Sequence, residues 1–180
     1  MGTKLKLTYQ DYVLLPDDGK RYEILDGDLY VTPSPTARHP EVSFNLALAL
    51  GQYVKCHGLG KVLAAPLDVI LADDSIAQPD ILFISNERLP IVRDWVHGAP
   101  DLVIEILSPG TRDRDRTLKR HLYARHGVRE LWLVDPEARS VVIHTLDPTT
   151  ESVPRTFADR DILISDVLPT LRFPLEPIWA

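Results

Sequence analysis

The run Leu102-Val103-Ile104-Glu105-Ile106-Leu107 sets one carboxylate among residues that are otherwise all aliphatic. Apolar at both odd and even positions, it reads as a strand buried on both faces, the kind found in parallel or mixed sheets. A carboxylate there must be paired, protonated or bound to a metal, because an isolated buried charge is very costly. A second run, Pro79-Asp80-Ile81-Leu82-Phe83-Ile84, has the same character and opens on Asp80. Any fold for this chain has to accommodate both acids.

The remaining pattern supplies the elements around these strands. Thr8 reads as the N-cap of a short helix over 9–15, stopped by Pro16 and the turn Asp17-Asp18-Gly19. Asp26-Gly27 between two apolar runs signals a β-hairpin. The stretch Thr32-Pro33-Ser34-Pro35 reads as a loop. A long helix is expected from about Pro40, with Val42, Leu46, Ala49, Leu50 and Tyr53 at helical spacing and Gly58 closing it. Strands are expected at 61–65 and 67–71, then a turn at Asp73-Asp74 and the Asp80 strand. Residues 86–99 read as a connection.

After the Glu105 strand, Ser108-Pro109-Gly110 interrupts the chain, and a helix is expected over 113–126 with Gly127 as its cap. A strand pair over 130–135 and 140–144 follows, with weaker strand signals at 162–164 and 171–173. Strand, helix and strand in succession form a crossover that lays two parallel strands side by side. The expected class is α/β: one domain, 1–180, with a mixed central sheet flanked by helices.

No apolar run approaches the ~20 residues of a membrane span, and Met1-Gly2-Thr3-Lys4-Leu5-Lys6 lacks the apolar stretch of a signal peptide. A single cysteine, Cys56, excludes an internal disulfide and a cysteine-based zinc cluster. A cytoplasmic location and no membrane partner are the expectations. The net charge of −6 argues against coating nucleic acid electrostatically. It leaves room for a local patch, and Arg112, Arg114 and Arg116 begin one. An ordinary solvated helix face reads the same way.

Side-chain alternation puts Val103, Glu105 and Leu107 on one strand face. If the Asp80 strand pairs alongside, both carboxylates come within reach of one cation, and such oxygen donors suit magnesium or manganese. At ~100° per residue, Leu118, Leu122, Asp115, His126, Lys119 and Tyr123 share one arc of the following helix. Arg114, Arg116, Arg120 and Arg125 fall outside it. Lys119 therefore points inward, where it can steady charge on a phosphate, with Asp115 holding the ammonium at i, i+4. Two carboxylates, a metal and a lysine are the minimum set for phosphodiester hydrolysis. Glu23, between Tyr22 and Ile24, is either a third carboxylate or a solvent-facing residue on a sheet edge. His39 reads first as a helix-terminus residue. Singly, Asp80 could cap a turn and Lys119 could be an ordinary helix lysine; their joint occurrence is the signal.

Pro79-Asp80 before an apolar strand, Glu105-Ile106-Leu107-Ser108-Pro109, Asp115 with Lys119, Tyr123-Ala124, and Gly127-Val128 leading to Glu130-Leu131-Trp132-Leu133-Val134-Asp135 form an ordered set. Together with Tyr22-Glu23, Asp26-Gly27 and the His39 helix, the set resembles the Uma-type family of putative restriction endonucleases, within the PD-(D/E)XK nuclease superfamily. The resemblance implies the restriction-endonuclease-like fold, magnesium on Asp80 and Glu105, and DNA as substrate. Leu107 stands where that superfamily usually has a lysine. The resemblance implies that Lys119, on the following helix, takes its place.

The leading expectation is a metal-dependent DNA endonuclease with Asp80, Glu105 and Lys119 as catalytic residues. A non-catalytic nucleic-acid-binding or assembly module on the same fold is the alternative, favoured by the acidic charge and by Leu107. A hydrolase of small phosphoesters would differ only in what fits the cleft. A homodimer, by analogy with the fold, would let two sites meet two strands.

Overall fold

The computed structural model describes residues 5–32, 34, 36–150 and 152–180. Pro33 and Pro35 of the expected 32–35 loop lie outside the described residues. The chain opens with a short helix α1 (Tyr9–Tyr12), where Thr8 and Asp11 form a reciprocal cap. The helix ends three residues short of the expected stop. The hairpin β1 (Arg21–Leu25) and β2 (Asp28–Thr32) follows, with Leu25 opposite Asp28. Its two-residue turn needs positive φ twice, which Asp26 (53°) and Gly27 (75°) supply.

Helix α2 (Arg38–Cys56) buries Val42, Leu46, Leu50 and Val54, one residue per turn. Next come β3 (Gly60–Ala64), β4 (Val69–Ala72), β5 (Ser75–Ala77) and β6 (Ile81–Ser85). The strand β5 was not expected; three residues are too few to show a period. A 3-10 turn (Asn86–Ile91) and β7 (Val96–His97) occupy the stretch expected to be a plain connection. The two buried runs of the sequence are β6 and β8 (Leu102–Ile106), every residue of the latter buried.

The expected 113–126 helix starts at Arg112 and is not uniform. It comprises α3 (Arg112–Arg114), a π turn (Asp115–Lys119) and α4 (Arg120–His126). Gly127 closes it at φ 91°. The chain then forms β9 (Glu130–Asp135), β10 (Ser140–Thr145), β11 (Arg155–Ala158), β12 (Ile162–Leu163) and β13 (Phe173–Pro174).

A six-stranded sheet runs β11-β10-β9-β8-β6-β3 and a five-stranded sheet runs β2-β1-β5-β4-β7. Within the first, β8 and β9 are parallel and joined by the helix, while the other pairs are antiparallel. The mixed sheet was legible as expected. One face, with Ile104, Ile106, Trp132 and Val134, packs on α2 and the C-terminal segment. The other, with Val103, Leu107, Leu131 and Leu133, packs on Leu122 and Tyr123 of α4. Glu105 belongs to this second face by alternation, so it is directed at the helix that carries Lys119.

Candidate active site

Arg21 and Glu23 alternate with Tyr22 and Ile24 on β1, so both turn to the same side of the five-stranded sheet. There they meet Asp80 and Glu105 of the six-stranded sheet and Asp115 and Lys119 of the π turn. These residues, with His39 at the start of α2 and Arg114 of α3, line one cavity of ≈ 20 Å³. That is room for about one water or one ion. Asp80, Glu105, Asp115, Lys119 and Glu23 are all buried.

The Lys119 ammonium lies 2.8 Å from Glu23 Oε1, 3.0 Å from Glu105 Oε1 and 3.6 Å from Asp115 Oδ1. Burial opposes its charge, but Glu105, Glu23 and Asp115 outweigh burial and raise its pKa above the ordinary lysine value. Lys119 is a fixed cation, not a base. Glu105 also accepts from the Tyr123 hydroxyl at 2.5 Å, on the same Oε1. Burial pushes the Glu105 carboxyl up to about 8; Lys119 opposes this and Asp115, Asp80 and Glu23 add to it. One ammonium does not satisfy three acids. Burial likewise raises Asp115, and Glu23 Oε2 and Asp115 Oδ1 are buried with no hydrogen-bond partner.

Asp80 has the opposite environment. Burial disfavours its charge, but a hydrogen bond and the charge of His39, the Arg21 guanidinium and the Ile106 amide together hold it below the usual carboxylate range. Arg21 Nη1 is 3.2 Å from Oδ1, His39 Nε2 is 3.3 Å from Oδ2, and the Ile106 N–H donates to Oδ2 at 2.8 Å. The Ile106 bond follows from β6–β8 pairing, which sets Ile81 opposite Ile104 and Asp80 beside the end of β8. Gln78 holds the surrounding frame: its N–H donates to Glu23 Oε1 at 2.8 Å, and its side-chain oxygen accepts from Arg21 Nε at 3.3 Å.

Asp80, Glu105, Lys119 and Asp115 therefore converge as their spacing in the sequence suggested. Glu23 is buried in the cluster, not solvent-facing. His39 is at a helix terminus, and also in contact with Asp80. The arginine patch needs correction. Arg114 does not face out; it turns inward to Glu23 Oε2 at 3.3 Å and to Thr32 Oγ1 at 3.0 Å. Arg112 lies 3.3 Å from Asp135 and 3.2 Å from Glu137, and Arg116 lies 3.6 Å from Asp135. A π turn inside a helix often marks a functional segment, and uniform 100° spacing could not foresee it. Arg21 and Tyr123 gave no isolated signal in the sequence as partners of the acids.

The family model described as Uma2, putative restriction endonuclease, matches residues 9–176. The chain belongs to this family. Among solved structures, a putative nuclease of the DUF820 group from Anabaena variabilis ATCC 29413 is similar at a TM-score of 0.80. It is 22% identical, and the match covers 96% of this chain and 97% of that one. No curated protein matches the chain. The restriction-endonuclease-like fold of the Uma2 chain is thus shared with a known structure. No helix among the described residues is long and apolar enough to cross a membrane.

Proposed function

We propose that this Uma2 protein is a metal-dependent DNA endonuclease, with Asp80 and Glu105 holding magnesium or manganese and Lys119 stabilising the transition state. The observation that carries the reading is the convergence of four carboxylates on one cavity that also holds a fully buried ammonium. The donor set, carboxyl oxygens, suits a hard divalent ion: Asp80 is held ionised, and burial with the neighbouring acids raises Glu105. Among the described residues no three or more His, Cys, Asp or Glu side chains form a cage. A magnesium site uses one or two carboxylates and keeps its waters, and Asp80 and Glu105 would supply those two. Bound there, the ion would polarise a phosphoryl oxygen and acidify a water.

The chain's own residues do the rest. Lys119 stays protonated throughout, so its N–H groups can meet charge building on the phosphate oxygens. Glu23 and Asp115 hold the ammonium in place and keep it charged. Tyr123 fixes one oxygen of Glu105, leaving Oε2 outside that bond. Arg21 and His39 cover Asp80, and the Arg21 guanidinium puts a positive charge on the side from which a phosphate would arrive.

Purified protein with magnesium and supercoiled plasmid is the test. Nicking should occur with magnesium, disappear with EDTA, and fall by about 10²–10³ in Lys119→Met and Glu105→Ala. No nicking by wild type rejects hydrolysis, and undiminished nicking by Glu105→Ala rejects this site as its seat. DNA binding without nicking would instead support the non-catalytic module.

A further inference from the structure

A second cavity, of ≈ 500 Å³, shares Arg21, His39 and Asp80 with the site and runs out between α2 and the β3–β4 connection. Beyond those three residues its lining is Ser43 together with the apolar Pro40, Phe44, Ala47 and Ala64 to Pro66. The buried stripe of α2 is Val42, Leu46, Leu50 and Val54, so Phe44 and Leu48 lie on the outward side, one turn apart. They are 67% and 60% exposed. An aromatic ring on the solvent side of an amphipathic helix, at the mouth of a cleft that ends on a catalytic carboxylate, has no role in the core.

We infer that this groove receives an unpaired nucleic-acid strand, with one base stacked on Phe44 and the adjoining phosphate at Arg21 and His39. The inference rests on the nuclease reading and specifies its substrate. Three observations favour an unpaired strand over a duplex. The groove has the volume of a small-ligand pocket, not of a duplex cradle. None of the helix arginines Arg112, Arg114 and Arg116 lines the groove; they pair with Asp135 and Glu23, whereas Arg21, paired with Asp80, is part of its lining. A net charge of −6 adds no long-range attraction for a polymer with a charge every ~1.7 Å. Stacking on an aromatic face, by contrast, tolerates any base and needs no basic field.

The test is fluorescence anisotropy with a labelled oligothymidylate and with its duplex, in calcium in place of magnesium. Wild type should bind the single strand at least about tenfold more tightly than the duplex. Phe44→Ala should weaken single-strand binding about tenfold or more, and Phe44→Trp should keep it. Engagement of one or two phosphates gives a salt slope no steeper than about −1.4. Equal or tighter duplex binding, or wild-type affinity in Phe44→Ala, overturns the inference. So does light scattering that shows a dimer turned to monomer by Phe44→Ala, since the face would then be a subunit contact. Strand binding retained by a protein that never nicks DNA would reject hydrolysis alone. Nicking with Phe44→Ala at full strand affinity would reject this inference alone.

Discussion

Glu105 and Glu130 are both buried glutamates on neighbouring parallel strands, yet they face opposite sides of the sheet and live in opposite circumstances. Glu130 is saturated. Its Oε1 accepts from Trp132 Nε1 at 2.6 Å and Ser165 Oγ at 2.7 Å, and its Oε2 accepts from the Asp166 N–H at 2.9 Å. Arg155 stands 3.7 Å away. Glu105 shares one ammonium with two other acids and takes its remaining bond from a phenol. A saturated acid ties chain segments together, here the C-terminal segment to the sheet. An undersupplied acid keeps its proton until a cation displaces it. Burial alone does not separate structure from function; the count of donors does.

Removing each carboxylate should therefore have opposite consequences for stability. Glu130→Ala strands an indole N–H, a hydroxyl and a backbone N–H, and leaves Arg155 without its buried partner. A loss of about 3–5 kcal/mol is expected in urea unfolding. Glu105→Gln keeps the shape and removes one competitor for Lys119, so it should leave the midpoint unchanged or raise it. Equal destabilisation of both variants would break the distinction and make Glu105 a structural residue.

The same contrast explains what was legible in the sequence. Glu105 stood out because it interrupts an aliphatic run; Glu130 did not, because it lies at the edge of one, after Arg129. The sheet, the crossover and α2 follow from periodicity, which is a local property. Glu23 was ambiguous because one face of β1 looks the same whether it meets water or another sheet. Arg21 and Tyr123 escaped notice because their partners are distant in sequence and their own surroundings are ordinary. Arg114 was misplaced because its direction depends on Glu23, 91 positions away by number (114 against 23). Charge pairing across a cavity is decided by tertiary contact.

A pH titration sharpens the comparison next. Folded Glu105 keeps its proton to about 8, whereas an unfolded glutamate releases it near 4.5. The stability this gives is fully present below 4.5 and is lost as pH rises through 8, so the metal-free protein should weaken across that window. Glu105→Gln should flatten the slope. Magnesium must displace the same proton, so its affinity should rise about tenfold per pH unit below 8 and level off above. Calorimetric titrations at pH 6, 7, 8 and 9 measure this. A pH-independent affinity would mean that Glu105 is already ionised or does not hold the metal.

The smallest effect concerns Tyr123, the one neutral donor on the Glu105 carboxylate among the described residues. Burial first, and then the charges of Glu105 and Glu23, push the phenol well above its ordinary range, so it donates at every working pH. A donor fixed in this way stabilises an ionised carboxylate more than a protonated one. Tyr123→Phe should cost about 1 kcal/mol of folding stability at pH 9, where Glu105 is charged, and less at pH 6. It should also move the plateau of magnesium affinity upward by under about one pH unit, since one unit corresponds to about 1.4 kcal/mol. If the plateau stays in place while stability falls equally at both pH values, the hydroxyl serves packing alone. Relief of Glu105 would then come from Lys119 and the metal, without help from the ring.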